Sequence, residues 1–121
     1  MLRQTLQEVL DKALSGHIYV ADLPNDKLYG LPEKWQANLV GDCEDFALWC
    51  RRELKEEHAI ESDLIVCTTE LGEHHCVLSV VGWVLDNRSA WIQSKDLMGY
   101  RWLAIGKPNG KWYDLTGEQN Q

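Results

Sequence analysis

The order of two hydrophobic periodicities constrains this chain most. Leu2, Leu6, Val9, Leu10, Ala13 and Leu14 recur at helical spacing and Gly16 follows as a stop, which predicts an amphipathic helix over residues 2–15. A second helix is predicted from about Cys43 to Glu57 with Asp42 as its N-cap. Phe46, Ala47, Cys50 and Leu54 share one face of it, and Arg51, Arg52, Lys55 and Glu56 the other. Beyond it the period changes to two. Leu64–Thr69, His75–Trp83, Leu85, Trp91–Ile92, Tyr100–Ile105 and Lys111–Asp114 read as short β segments, separated by Gly72-Glu73, Asp86-Asn87-Arg88 and Pro108-Asn109-Gly110. Helices first and strands afterwards do not give the alternation that builds a parallel sheet. The expected class is α+β, with the N-terminal helices packed on an antiparallel sheet.

Residues 19–40 fit neither period. Pro24, Asn25-Asp26, Gly30 and Pro32 break the pattern, leaving an irregular segment with one helical turn around Glu33–Asn38, of the kind that lines sites. At 121 residues and 45% apolar, the chain is expected to form a single domain over 1–121 with a frayed end at 117–121. Twelve basic against 19 acidic residues give a net charge of −7. Lys and Arg are scattered rather than striped, which argues against nucleic acid as a partner. The first 14 residues mix Arg3 and Lys12 with Glu8 and Asp11 and hold no long apolar run, so neither a signal peptide nor a membrane span is expected there. The expected location is cytoplasmic, with periplasmic or virion-associated alternatives. The four cysteines lack C-x-x-C spacing, which argues against structural zinc, and at least one is expected to be a free thiol.

Cys43 is where chemistry gathers. It stands in the first turn of the second helix, inside Gly41-Asp42-Cys43-Glu44-Asp45-Phe46. The N–H groups at a helix start favour a thiolate, the form that attacks a carbonyl, whereas Asp42, Glu44 and Asp45 oppose it. Such a site needs an imidazolium, a bound cation, or both. The strand opening at His74-His75 sends His75, Val77 and Ser79 to one face and His74, Cys76 and Leu78 to the other, so only one histidine can face Cys43. If the chain turns near Val81-Gly82, Asp86 returns nearly opposite His75 across the hairpin, where a carboxylate could orient the ring. The order Cys43, His75, Asp86 then follows the logic of a thiol triad: nucleophile, base, orienting acid.

Four stretches carry a family resemblance: Tyr29-Gly30-Leu31-Pro32-Glu33-Lys34-Trp35, Gly41-Asp42-Cys43-Glu44-Asp45-Phe46-Ala47, His75-Cys76-Val77-Leu78-Ser79-Val80 and Val84-Leu85-Asp86-Asn87. Together with Tyr100-Arg101-Trp102 and Trp112-Tyr113, they make the chain resemble the bacterial transglutaminase-like cysteine proteinases, a group that includes periplasmic proteases releasing biofilm adhesins. The resemblance implies a papain-like core, with Cys43 as nucleophile, His75 as general base and then acid, and Asp86 as the orienting carboxylate. It implies a protein or peptide substrate and no cofactor required for the chemistry. In the adhesin-cleaving members the acids flanking the cysteine bind calcium, and Asp42 and Glu44 are the matching positions here.

Plainer readings stand beside these. Cys50, Cys67 and Cys76 are expected to be core filler, since free cysteine is among the most buried residue types. Asp42 is fully explained as a cap, Glu44 and Asp45 as first-turn acids, and Asp86-Asn87 as turn chemistry. Trp35 is a candidate cleft residue, and Gln36 or Asn38 a candidate oxyanion donor beside the Cys43 N–H. The expected function is hydrolysis of a peptide or isopeptide bond through a Cys43 acyl-enzyme. The alternatives are transfer of the acyl group to an amine, as in a transglutaminase, and a catalytically idle module that binds a cation or a partner.

Overall fold

The computed structural model describes residues 1–15 and 41–116, the side chain of Asp42 excepted. The expected irregular segment at 19–40, its helical turn, Trp35, Gln36, Asn38 and the tail at 117–121 lie outside the described residues.

Among the described residues, two helices precede six strands. Helix α1 spans Leu2–Leu14, and its residues Leu6, Val9, Leu10 and Ala13 are buried, the spacing that puts one stripe of a helix against a core. Helix α2 spans Gly41–His58. Gly41 already has helical backbone, so Asp42 lies inside the first turn and not at the N-cap position expected for it. Its end is closed by Ala59 in the left-handed region (φ 56°), which lets the Ile60 N–H donate back to Leu54 O at 3.0 Å.

The strands are β1 (Asp63–Thr68), β2 (His74–Val80), β3 (Trp83–Leu85), β4 (Gln93–Ser94), β5 (Arg101–Gly106) and β6 (Trp112–Asp114), with a 3₁₀ turn at Lys95–Leu97. They form one sheet in the order β4-β3-β2-β1-β5-β6, and every neighbouring pair is antiparallel. The α+β class read from the sequence is the class observed. Val81 and Gly82 form the two-residue turn between β2 and β3, both with positive φ, 51° and 87°. That geometry matches the right-handed twist of the flanking strands.

The expected strand at Trp91–Ile92 is not one; pairing begins at Gln93. The reason lies on α1. Gln7 donates from Nε2 to Ala90 O at 2.9 Å and accepts the Ile92 N–H on Oε1 at 2.9 Å, so a helix side chain satisfies the backbone that a neighbouring strand would otherwise pair.

Both faces of the sheet carry buried side chains. On one, α1 and α2 bring Leu6, Leu10, Phe46 and Leu54 against Leu64, Val66, Leu78 and Leu85. On the other, Ile65, Val77 and Val84 pack with Met98, Tyr100, Trp102 and Ile105. A register shift in the β1–β5 pairing decides which residues reach this second face. Val66 pairs with Ala104 but Cys67 pairs with Trp102, leaving Leu103 as an extra residue in β5. Such a bulge reverses the inside–outside alternation beyond it. Leu103 and Ala104 therefore both join the helix-side core, and Trp102 and Tyr100 fall on the opposite face.

Candidate active site

Three elements converge where β2 begins. The first turn of α2 carries Cys43, the second residue of β2 is His75, and Asp86 directly follows β3. The β2–β3 register sets Leu78 opposite Leu85, which continued one step puts Asp86 opposite Val77. Asp86 is thus the diagonal neighbour of His75 and not its direct partner, a separation that side chains of this length span. His75 Nε2 and Asp86 Oδ1 are 2.7 Å apart, and both residues are buried, at 6% and 1% exposure.

Cys43 belongs to the helix-side core, yet it makes a side-chain hydrogen bond with His75. With Nε2 engaged by Asp86, Nδ1 is the ring nitrogen left for the sulfur. His74, the other candidate, is one residue out of phase and half-buried, and by alternation it lies on the face away from Asp86.

The electrostatics follow from this burial. Desolvation works against a charged His75 ring. The Asp86 hydrogen bond, the contact with Cys43 and the carboxylate charge outweigh it and raise the ring to about 9. Burial likewise pushes Asp86 up, but hydrogen bonds from His75, Tyr100 and the Arg88 backbone hold it below its usual value. At neutral pH the pair is therefore imidazolium and carboxylate. Cys50, Cys67 and Cys76 are pushed up, chiefly by desolvation, and all four cysteines are buried and outside any disulfide. The thiols expected as core filler are indeed in the core.

Two residues to which the sequence assigned no site role complete the surroundings of Asp86. Tyr100 donates its hydroxyl to Asp86 Oδ2 at 2.6 Å, and the Arg88 backbone N–H donates to Oδ1 at 2.9 Å. Arg88 also pairs with Glu70 at 2.6 Å. Their sequence signals were weak: a tyrosine at a strand start and an arginine in a turn. A groove of about 300 Å³ opens beside them, lined by Glu70, Asp86, Arg88, Met98 and Tyr100 among others.

Glu44 is half-buried in the first turn of α2. Among the described residues no group of three or more His, Cys, Asp or Glu side chains converges to hold a metal. Calcium takes about six to eight oxygen ligands, of which the one described carboxylate of the expected pair, Glu44, can supply at most two. Among the described residues no helix is long and apolar enough to cross a membrane.

The chain belongs to the bacterial transglutaminase-like cysteine proteinases, whose family model matches residues 3–120. No curated protein and no solved structure matched it. Membership in a family of cysteine proteinases gives the convergence of a thiol, an imidazole and a carboxylate its chemical context.

Proposed function

We propose that the chain hydrolyses a peptide or isopeptide bond in a protein or peptide substrate through an acyl-enzyme at Cys43, within a papain-like arrangement of helix start and sheet. The observation that carries this reading is the His75 ring held between Asp86 and Cys43. A protonated imidazole beside a sulfur is the arrangement that thiol acyl transfer uses. The thiolate attacks the substrate carbonyl and forms the new C–S bond. His75 then gives its proton to the leaving nitrogen as the C–N bond breaks. The neutral ring next takes a proton from water, whose oxygen attacks the thioester and releases the acid and the Cys43 thiolate. Asp86 keeps the ring in the orientation both transfers need.

Cys43→Ala should lower cleavage by about 10³-fold or more while leaving thermal unfolding and circular dichroism close to wild type. Wild-type cleavage in that variant would end the proposal. A second check uses the thiols themselves. Cys43 alone of the four bonds the His75 side chain, so under this reading limited iodoacetamide should modify Cys43 before Cys50, Cys67 and Cys76.

A further inference from the structure

The two oxygens of Asp86 are held unequally. Oδ1 accepts from His75 Nε2 and from the Arg88 N–H, whereas Oδ2 accepts from the Tyr100 hydroxyl at 2.6 Å. That hydroxyl has a single proton, and its direction is fixed by its other partner. Arg88 Nη1 donates to the Tyr100 oxygen at 2.8 Å, and a guanidinium cannot accept, so the Tyr100 proton goes to Asp86. Arg88 is itself anchored by Glu70, with contacts at 2.6 and 3.2 Å. The Tyr100 ring also stands edge-on to the His75 ring, 5.8 Å between centroids and 88° between planes. One residue thus touches both the acid and the base. It does so because the extra residue Leu103 shifts the phase of β5; without that bulge, alternation would carry Tyr100 to the helix face.

We propose that Tyr100 is a positioning residue for the Cys43–His75–Asp86 site, its hydroxyl, aimed by Arg88, fixing the Asp86 carboxylate so that Oδ1 stays on the His75 ring. The inference rests on the reading of that site as catalytic. Without the hydroxyl, Oδ2 is a buried acceptor lacking a donor, which is costly. The carboxyl relieves this by turning toward the adjoining groove or by taking up a proton. Either change withdraws negative charge from His75. Asp86 and Cys43 act on the His75 ring itself; the Tyr100 ring stands edge-on to it, Cys67 on β1 pairs with His75 and bonds its backbone carbonyl, and Arg88 reaches it through Asp86. Tyr100→Phe removes the hydroxyl with its hydrogen bonds to Asp86 and from Arg88 and keeps the ring beside His75.

The test is the titration of His75 in the full chain, followed through its ring resonances by NMR, which needs no substrate. Tyr100→Phe should lower the His75 midpoint from about 9 by about one unit or more, while Tyr113→Phe, on the exposed edge strand, leaves it in place. A folded Tyr100→Phe whose midpoint moves by less than about 0.3 unit overturns the proposal. Should that variant not fold, the wild-type Tyr100 hydroxyl proton decides the matter. It should be a slowly exchanging downfield resonance that disappears in Asp86→Asn, and its absence from the wild type overturns the proposal. The two readings fail separately. Cleavage by Cys43→Ala would remove the catalytic reading whatever His75 does, and an unmoved His75 in Tyr100→Phe would remove only the role of Tyr100.

Discussion

The two faces of the sheet are built on different physical terms. The helix side is held by apolar burial, with Leu6, Leu10, Phe46, Leu54, Leu78 and Leu85 all at 2% exposure or less. The opposite face has an apolar patch of Ile65, Val77 and Val84 that gives way, at the start of β2, to a hydrogen-bonded series: Glu70, Arg88, Tyr100, Asp86, His75. Apolar contact is non-directional and tolerates small shifts; a buried charge pair depends on each partner being in place. The first face should therefore govern stability, and the second should govern chemistry. Cys43 joins them, since it packs in the helix-side core and bonds to a ring on the other side.

The largest effect that would break this contrast is Asp86→Asn. Cleavage is expected to fall by about 10²–10⁴-fold because the amide no longer supports the imidazolium, and near wild-type turnover would show that the polar face is only structural. Leu78→Ala, on the helix side, should do the reverse. A loss of about 2–5 kcal/mol in urea unfolding is expected, with activity per folded molecule retained.

The pH response separates the faces without changing the core. The folded His75 midpoint of about 9 lies above the ordinary value of 6.5, so the stability contributed by His75 is complete below pH 6.5. It is lost as pH rises through 9. The thermal midpoint of the wild type should fall over that window, and His75→Gln should flatten the fall. For Asp86 the sign is opposite: its contribution is present above the ordinary carboxylate range and lost as pH drops below it.

Smaller still is Val81→Asn. Val81 is a β-branched residue at φ 51° and 83% exposed, beside Gly82 in a turn where asparagine is favoured. A gain of about 1 kcal/mol, or roughly 3–6 °C in melting temperature, is expected with cleavage unchanged. The smallest test concerns calcium at Asp42 and Glu44. Adding calcium after chelator treatment and following melting temperature and cleavage would support the calcium site that the resemblance implies if either responds, and no response in either would remove both residues from the site.

Much of the site was legible because its parts are local in sequence. Cys43 at a helix start follows from the periodicity of Phe46, Ala47, Cys50 and Leu54, and the meeting of His75 with Asp86 follows from one short turn at Val81-Gly82. The near-opposite placement of those two residues is a diagonal one, because the two-residue turn at Val81-Gly82 sets Asp86 against Val77, two residues from His75. Trp91–Ile92 misled because a β-like apolar pair is also what a helix-docked loop presents, and only the distant Gln7 decided between them.

By itself, then, the sequence determined the class of fold, the helix whose first turn carries Cys43 and the hairpin that returns Asp86. These depend on spacing within a few tens of residues and on the fixed periods of helix and strand. Only the tertiary structure decided which side of the sheet each residue of β5 serves, and with it the place of Tyr100. One extra residue at Leu103 reverses every side chain beyond it, and that residue counts as extra only relative to β1, a strand some 40 positions away in the chain.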